Sequence, residues 1–184
     1  MAKIDKSLSS RKAIVWNLLL FVLLLLPHLS FARTYLTTEN FIKQSFSETP
    51  APKVIWVKGQ LKQQLTAILG HPYAGLRIKY WFKEGKSLWV LNEVGKERPI
   101  TVGIIIEGDS VESVQVLAYR ETRGSEVRHH FFLKQFIGAT SDDDHTLSKH
   151  IDGITGATLS VRALTKLTQI ALLLHERISI SINE

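Results

Sequence analysis

The sequence predicts an α+β fold in which an antiparallel β-sheet meander packs against helices and a long C-terminal helix closes the chain. The middle of the 184-residue chain alternates between apolar and polar residues, and glycine lies between its strand-like segments. The final segment instead carries apolar residues at helical spacing. Because strands joined by short links become antiparallel neighbours, these observations predict a meander with helices against one of its faces.

Two helices and one brief strand are predicted ahead of the meander. Hydroxyl residues followed by apolar residues at helical spacing indicate a first helix over residues 37–46. Residues 54–57 are apolar and short enough for a strand. A second helix is predicted over residues 59–69, because it has Leu61 and Leu65 on one face and is followed by a glycine and a proline.

The meander itself is predicted from four segments rich in β-branched and aromatic residues. These segments are residues 76–82, 87–94, 100–107 and 111–120. Residues 84–86 and the pair Gly108-Asp109 lie between neighbouring segments, where hairpin turns are expected. Each strand is therefore predicted to pair with the next along the chain.

The chain is predicted to return to helices after the meander. Residues 131–137 indicate a short helix that ends near Gly138, and the polar residues 141–149 indicate a loop. Residues 157–178 then have the pattern of a long amphipathic helix. Its predicted buried side consists of Leu164, Leu167, Ile170, Ala171 and Leu174.

The first 32 residues have the organisation of a signal peptide. A basic start precedes an apolar run over residues 13–26, and Ser30 and Ala32 supply the small residues of a cleavage site before Arg33. An uncleaved N-terminal membrane anchor is the alternative, although the run is short for a span. Both alternatives predict export, and they divide the chain into residues 1–32, an N-terminal helix and linker over 33–52, and a domain over 53–184.

Charge and composition exclude several classes of function. The formal net charge is +6, but the first 32 residues hold four basic residues against one acidic residue and so account for +3 of it. The remaining +3 is too small to predict a nucleic-acid partner. The absence of cysteine excludes disulfides, thiolate metal sites and iron–sulfur clusters. No metal site is predicted, because neither His129-His130 nor residues 142–145 have ligand spacing.

Residues 152–160, Asp-Gly-Ile-Thr-Gly-Ala-Thr-Leu-Ser, carry the strongest functional signal. They open the long helix, and the N–H groups and dipole at a helix N-terminus attract phosphate. Gly156 lets the backbone approach a bulky ligand, and Thr158 places a hydroxyl beside the expected anion. The alternative is an ordinary helix start that has Thr155 as its N-cap.

This segment resembles the flavinylation motif of the FMN-binding domain family, which includes the C subunit of the sodium-pumping NADH:quinone oxidoreductase and the G subunit of the Rnf complex. In that family the last threonine of the motif carries FMN through a phosphoester, which a flavin transferase makes from FAD. The resemblance implies that residues 53–184 are an FMN-binding domain and that Thr158 is the attachment site. The residues that complete the implied transferase and cofactor segment are Asp152, Thr155, Gly156, Ala157, Leu159 and Ser160.

Two further segments resemble parts of the same family. Residues 119–128 are similar to a turn that lies near the flavin, which implies cofactor contacts by Glu121, Thr122 and Gly124, although Arg123 replaces the family's proline. A polar turn between a strand and a helix is the alternative. In such a site the positive charge of Arg120, Arg123 or Arg128 near the flavin N1 would stabilise a reduced, anionic flavin. Residues 87–91 resemble a family strand whose tryptophan, here Trp89, walls the flavin; a core tryptophan is the alternative.

The resemblance implies an exported electron-transfer flavoprotein rather than an enzyme with its own substrate. FMN on Thr158 would be the cofactor, and the partners would be the FAD-using transferase and redox proteins of the periplasm or the membrane. The expected location is the periplasm, with retention at the inner membrane if residues 1–32 are not cleaved. A cofactor-free periplasmic interaction module with the same fold, or a flavin-dependent reductase, are the alternatives.

Overall fold

The computed structural model of the chain describes residues 33–183. The predicted signal segment, residues 1–32, lies outside the described residues. Residues 33–52, predicted as an N-terminal helix and linker, belong to the same compact unit as the rest of the described chain. None of the helices within residues 33–183 combines the length and the apolar character needed to cross a bilayer.

The described residues form one six-stranded sheet in which all neighbours are antiparallel. Its strands are β1 (Arg33–Thr34), β2 (Lys53–Trp56), β3 (Arg77–Lys83), β4 (Lys86–Val94), β5 (Pro99–Glu107) and β6 (Ser110–Tyr119). They lie in the order β1-β6-β5-β4-β3-β2, so β3 to β6 form the predicted meander. In the tight turn between β3 and β4, Glu84 and Gly85 both have positive φ, 52° and 77°, as hairpin turns that match the strand twist require.

Four α-helices accompany the sheet in the described part of the chain. They are α1 (Thr38–Ser45), α2 (Gly59–Leu69), α3 (His130–Leu133) and α4 (Thr158–Asn183). The hydroxyl of Thr37 accepts the backbone N–H of Asn40 at 3.2 Å and so caps α1. The predicted helix over residues 131–137 is only partly α-helical, because it tightens into a 3₁₀ turn over Lys134–Phe136 before Gly138.

Helices cover both faces of the sheet, so the prediction of helices against one face was wrong. Helices α2 and α4 pack on the face that includes Tyr80 and Trp89. Helix α1 packs on the opposite face, where Phe41 contacts the cluster of Trp81 and Leu88. Strands whose apolar residues are consecutive, as in β5, bury both faces and therefore require cover on both.

A polar network is buried between the sheet and α4. The Ser87 hydroxyl lies 2.7 Å from His175 Nδ1 and accepts the Trp89 indole N–H at 2.8 Å. Burial lowers the pKa of His175, and the nearby Asp109 carboxylate and Gly108 backbone only partly oppose this effect. His175 is therefore held in its neutral form inside the fold.

We expect this histidine to make the protein sensitive to acid. As the pH falls below about 6.5, the unfolded chain binds a proton at His175 that the folded chain resists, so the free energy of unfolding decreases. His71 acts in the opposite direction, because its hydrogen bond with Glu93 raises its pKa. Urea unfolding at pH 7.5 and pH 5 measures the difference. Replacing His175 with glutamine should make the free energy of unfolding decrease less between pH 7.5 and pH 5. An unchanged decrease would contradict the role of His175 in the acid sensitivity.

Candidate functional site

The helix start at residues 154–160 is built from a tight turn followed directly by α4. The Ala157 N–H donates to the Ile154 carbonyl at 2.9 Å, and Gly156 lies at the left-handed φ of 82° that such a turn favours for glycine. The Ala157 carbonyl then accepts the Val161 N–H at 2.9 Å, as the first bond of the helix. Ala157 therefore occupies the N-cap position, and the alternative with Thr155 as the N-cap was wrong.

The hydroxyls of this segment differ in exposure and in hydrogen bonding. Thr158, the first residue of α4, is exposed. Ser160 is only 5% exposed, and its hydroxyl lies 2.9 Å from the Tyr119 hydroxyl. Because Tyr119 donates its one proton to the Arg123 carbonyl at 2.5 Å, Ser160 must be the donor to Tyr119. The proton of Ser160 is thus committed to an internal bond.

Ten residues from three distant parts of the chain line a cavity of ≈ 560 Å³ at this helix start. They are Lys96, Glu97, Glu121, Thr122, Arg123, Gly156, Ala157, Thr158, Leu159 and Ser160. The volume falls within the range of small-molecule and cofactor sites, roughly 300–1,000 Å³. The structure therefore brings the turn after β6 to the same cavity as Thr158.

Asp152 and Thr155 lie outside the lining of this cavity. Both are exposed, and the Asp152 backbone N–H donates to the Gln135 side chain at 2.8 Å. The Asp152 carboxylate lies 3.8 Å from the His150 ring. These two residues of the motif are therefore presented to the outside of the protein rather than to the cavity.

Glu121 lines the cavity but its carboxylate also serves a structural contact. Its Oε1 accepts the backbone N–H groups of Lys96, Glu97 and Arg98 at 2.5, 2.8 and 3.0 Å. Burial alone would raise the pKa of Glu121, but these three donors together with the Lys96 charge lower it below its usual value. Glu121 is therefore ionised at neutral pH and holds the turn between β4 and β5.

Gly124 is not among the residues that line the cavity, and its predicted role as a bare surface for the flavin ring stays a prediction. Its φ is 81°, and a Cβ added there would lie 3.0 Å from the Tyr119 hydroxyl and 3.2 Å from the Ala157 Cα. The absence of a side chain lets the turn after β6 pack directly on the start of α4. Gly124 thereby holds two walls of the cavity together.

Of the three arginines considered for the flavin, only Arg123 lines the cavity. Arg120 donates to the Pro99 carbonyl at 3.2 Å and to the Thr101 hydroxyl at 2.9 Å, on strand β5. The Arg128 guanidinium stacks 4.6 Å from the Tyr35 ring and lines a separate groove. The structure thus leaves Arg123 as the arginine placed for a cavity ligand.

Trp89 belongs to the hydrophobic core, as the alternative interpretation predicted, and not to a wall of the flavin site. Its side chain is 0% exposed, and its ring stacks on Tyr80 with centroids 5.0 Å apart. It is not among the residues that line the cavity at the helix start. A tryptophan in the middle strand of a sheet covered on both faces has no open surface to offer a ligand.

Sequence reasoning missed Lys96 and Glu97, which line the cavity from the turn between β4 and β5. The only local signal was a polar hairpin turn, which is common and carries no functional meaning by itself. Their place in the site depends on their contact with Glu121, 25 residues further along the chain. No pattern within the turn predicts a partner at that separation.

Comparison with known proteins gives one family match. Residues 95–173 match the FMN-binding domain, the family that the motif resembles. The matched range contains all ten residues that line the cavity. No curated protein and no solved structure matches the chain. The family match indicates a flavin-binding module of the kind that takes part in electron transfer.

Proposed function

We propose that this chain, whose residues 95–173 match the FMN-binding domain, is an exported electron carrier that holds FMN covalently on Thr158. One observation carries the assignment of the residue. Among the three hydroxyls of the motif, Thr158 is the one that is both exposed and part of the cavity lining. Thr155 is exposed outside the lining, and Ser160 is buried and bonded to Tyr119.

The cavity has the features that an FMN group requires. The first N–H groups of α4 have no partner within the helix, and Ala157 has no side-chain acceptor to cap them, so they favour a phosphate. Lys96 and Arg123 add positive charge around the same cavity and balance the carboxylates of Glu97 and Glu121. Leu159, which is 43% exposed, offers an apolar surface to a planar ring.

Attachment is a phosphoryl transfer to the Thr158 hydroxyl. The threonine oxygen bonds to the FMN-side phosphorus of FAD, the pyrophosphate bond breaks, AMP leaves, and the hydroxyl proton passes to a base on the transferase. The helix N-terminus would stabilise the negative charge of the phosphoester that forms. The exposure of Asp152 and Thr155 suits recognition by the transferase, because both can be read from outside the cavity.

When bound, the flavin supplies the redox chemistry, and the protein supplies binding, orientation and charge. Glu121 is ionised and engaged with three backbone N–H groups, so it is poorly placed to act as a general acid. This arrangement argues against Glu121 as the proton donor of a reductase. The covalent bond suits an exported protein, because it prevents loss of the cofactor where FMN is not resupplied.

The experiment is an intact mass of the exported protein after co-production of the full chain with a flavin transferase. We expect a chain that begins at Arg33 and carries the mass of FMN minus water, with fluorescence that survives denaturation. Fluorescence lost on denaturation would indicate a reversible flavin site instead. A colourless protein without the added mass would favour a cofactor-free interaction module, and retention of Met1 would indicate an anchor.

A further inference from the structure

We propose that Lys96 is a cation that faces the flavin, in addition to Arg123, and that Glu121 is the positioning residue that holds Lys96 there. This inference rests on the proposed function, because it concerns the same cavity. Lys96 and Thr158 line that cavity from different segments, the β4–β5 turn and the start of α4. The contacts of Glu121 fix the position of this turn.

The β4–β5 turn is organised around one carboxylate oxygen. Three successive backbone N–H groups, at residues 96, 97 and 98, converge on Glu121 Oε1 within 3.0 Å. Successive N–H groups that converge in this way form an anion-binding concavity. Without the carboxylate these donors lose their acceptor, and the turn keeps only the bond from the Gly95 N–H to the Arg98 carbonyl at 3.1 Å.

Gly95 gives independent support for this close approach. A Cβ at this position would lie 2.9 Å from Glu121 Oε1 and 3.1 Å from Ile100 Cδ1. A side chain there would displace either the Glu121 carboxylate or the turn from the position that gives these hydrogen bonds. The glycine and the acid are therefore complementary parts of one contact, made between two segments that are far apart in sequence.

The Lys96 side chain has little else to hold it in place. It is 74% exposed, and its ion pair with the neighbouring Glu97 spans 3.6 Å in solvent. Its position therefore follows from the backbone of the turn, and so from Glu121. A cation beside a flavin stabilises the negative charge that reduction adds, so Lys96 should raise the midpoint potential of the bound cofactor.

The first test uses amide hydrogen exchange on the flavin-free protein. Replacing Glu121 with alanine should speed exchange at the amides of residues 96–98 by at least tenfold, and glutamine, which keeps one oxygen acceptor, should have a smaller effect. The matched control is Glu126→Ala, which removes an exposed acid from the next turn of the chain. Unchanged exchange in Glu121→Ala would overturn the positioning role.

The second test uses the midpoint potential of the flavin-loaded protein in a double-mutant cycle. Lys96→Gln should lower the potential in the wild-type background, whereas Lys62→Gln, an exposed lysine outside the cavity, should not. In the Glu121→Ala background the Lys96→Gln shift should fall to half or less.

Equal shifts in both backgrounds, or no shift in the wild type, would overturn the inference. Such results leave the proposed function standing, because the flavin is still bound. Failure of the wild type to take up flavin is a different outcome. It would reject the proposed function and the role of Lys96 with it, while the exchange experiment would still decide whether Glu121 holds the turn.

Discussion

Replacing Thr158 with alanine is expected to abolish covalent flavin attachment and to leave the fold intact. The substitution removes the one exposed hydroxyl that the motif presents to the cavity. Thr158 is the first residue of α4, and alanine is at least as favourable as threonine in a helix. Because the side chain is exposed, the free energy of unfolding should change by no more than about 0.5 kcal/mol.

The measurement is a denaturing gel viewed for flavin fluorescence, followed by peptide mass mapping. Thr155→Ala is the matched control, because it removes an exposed hydroxyl of the same motif that does not line the cavity. It should lower the yield, because the transferase loses a recognition contact, but the modification that forms should stay on Thr158. A Thr158→Ala band that stays fluorescent, with the added mass on Thr155 or Ser160, would reject Thr158 as the attachment site.

The order of local elements could be predicted because each depends on residues close in sequence. The period of two over β3 to β6, and the glycines between these strands, describe the meander without knowledge of its partners. The second helix ends where Gly70 adopts a left-handed φ of 74°, a conformation that glycine tolerates best. Local sterics and turn chemistry were sufficient for these features.

The packing of helices on both faces of the sheet could not be predicted from the helix pattern alone. Helix α1 is separated from strand β5 by more than fifty residues, yet the Phe41 ring lies where a side chain at Gly103 would stand, 2.3 Å from its Cβ position. A glycine within a strand was the one trace of this contact. The presence of this glycine alone does not identify the aromatic ring that fills the space.

Within the site, sequence identified the helix start but not the walls that complete the cavity. Thr158 could be predicted because its motif is continuous in the chain. The roles of Glu121 and Gly124 depend instead on what packs against them: a turn of backbone N–H groups for Glu121 and the Cα of Ala157 for Gly124. The two interpretations of Trp89 could not be separated for a related reason, since burial on a covered face cannot be read from the strand that carries the residue.

Gly124→Val is expected to cause the largest loss of stability, because it acts at the junction between two walls of the cavity. The φ of 81° is strained for a β-branched residue, at a cost of roughly 1–3 kcal/mol. The new Cβ would also press on the Ala157 Cα, which belongs to the backbone and cannot rotate away, and overpacking adds about 1–3 kcal/mol. We therefore expect the free energy of unfolding to fall by about 3 kcal/mol or more.

Gly85→Val separates the two costs, because Gly85 has a similar φ of 77° but open space around its Cβ position. The Gly85→Val variant should be destabilised only by the backbone strain. Urea unfolding of both variants therefore measures the additional cost of overpacking at Gly124. Where Gly124→Val still folds, the turn after β6 must lift from α4, which moves Thr122 and Arg123 away from Thr158 and lowers the yield of flavin attachment. Equal destabilisation by the two substitutions, with an unchanged yield, would mean that the contact between Gly124 and Ala157 does not hold the cavity together.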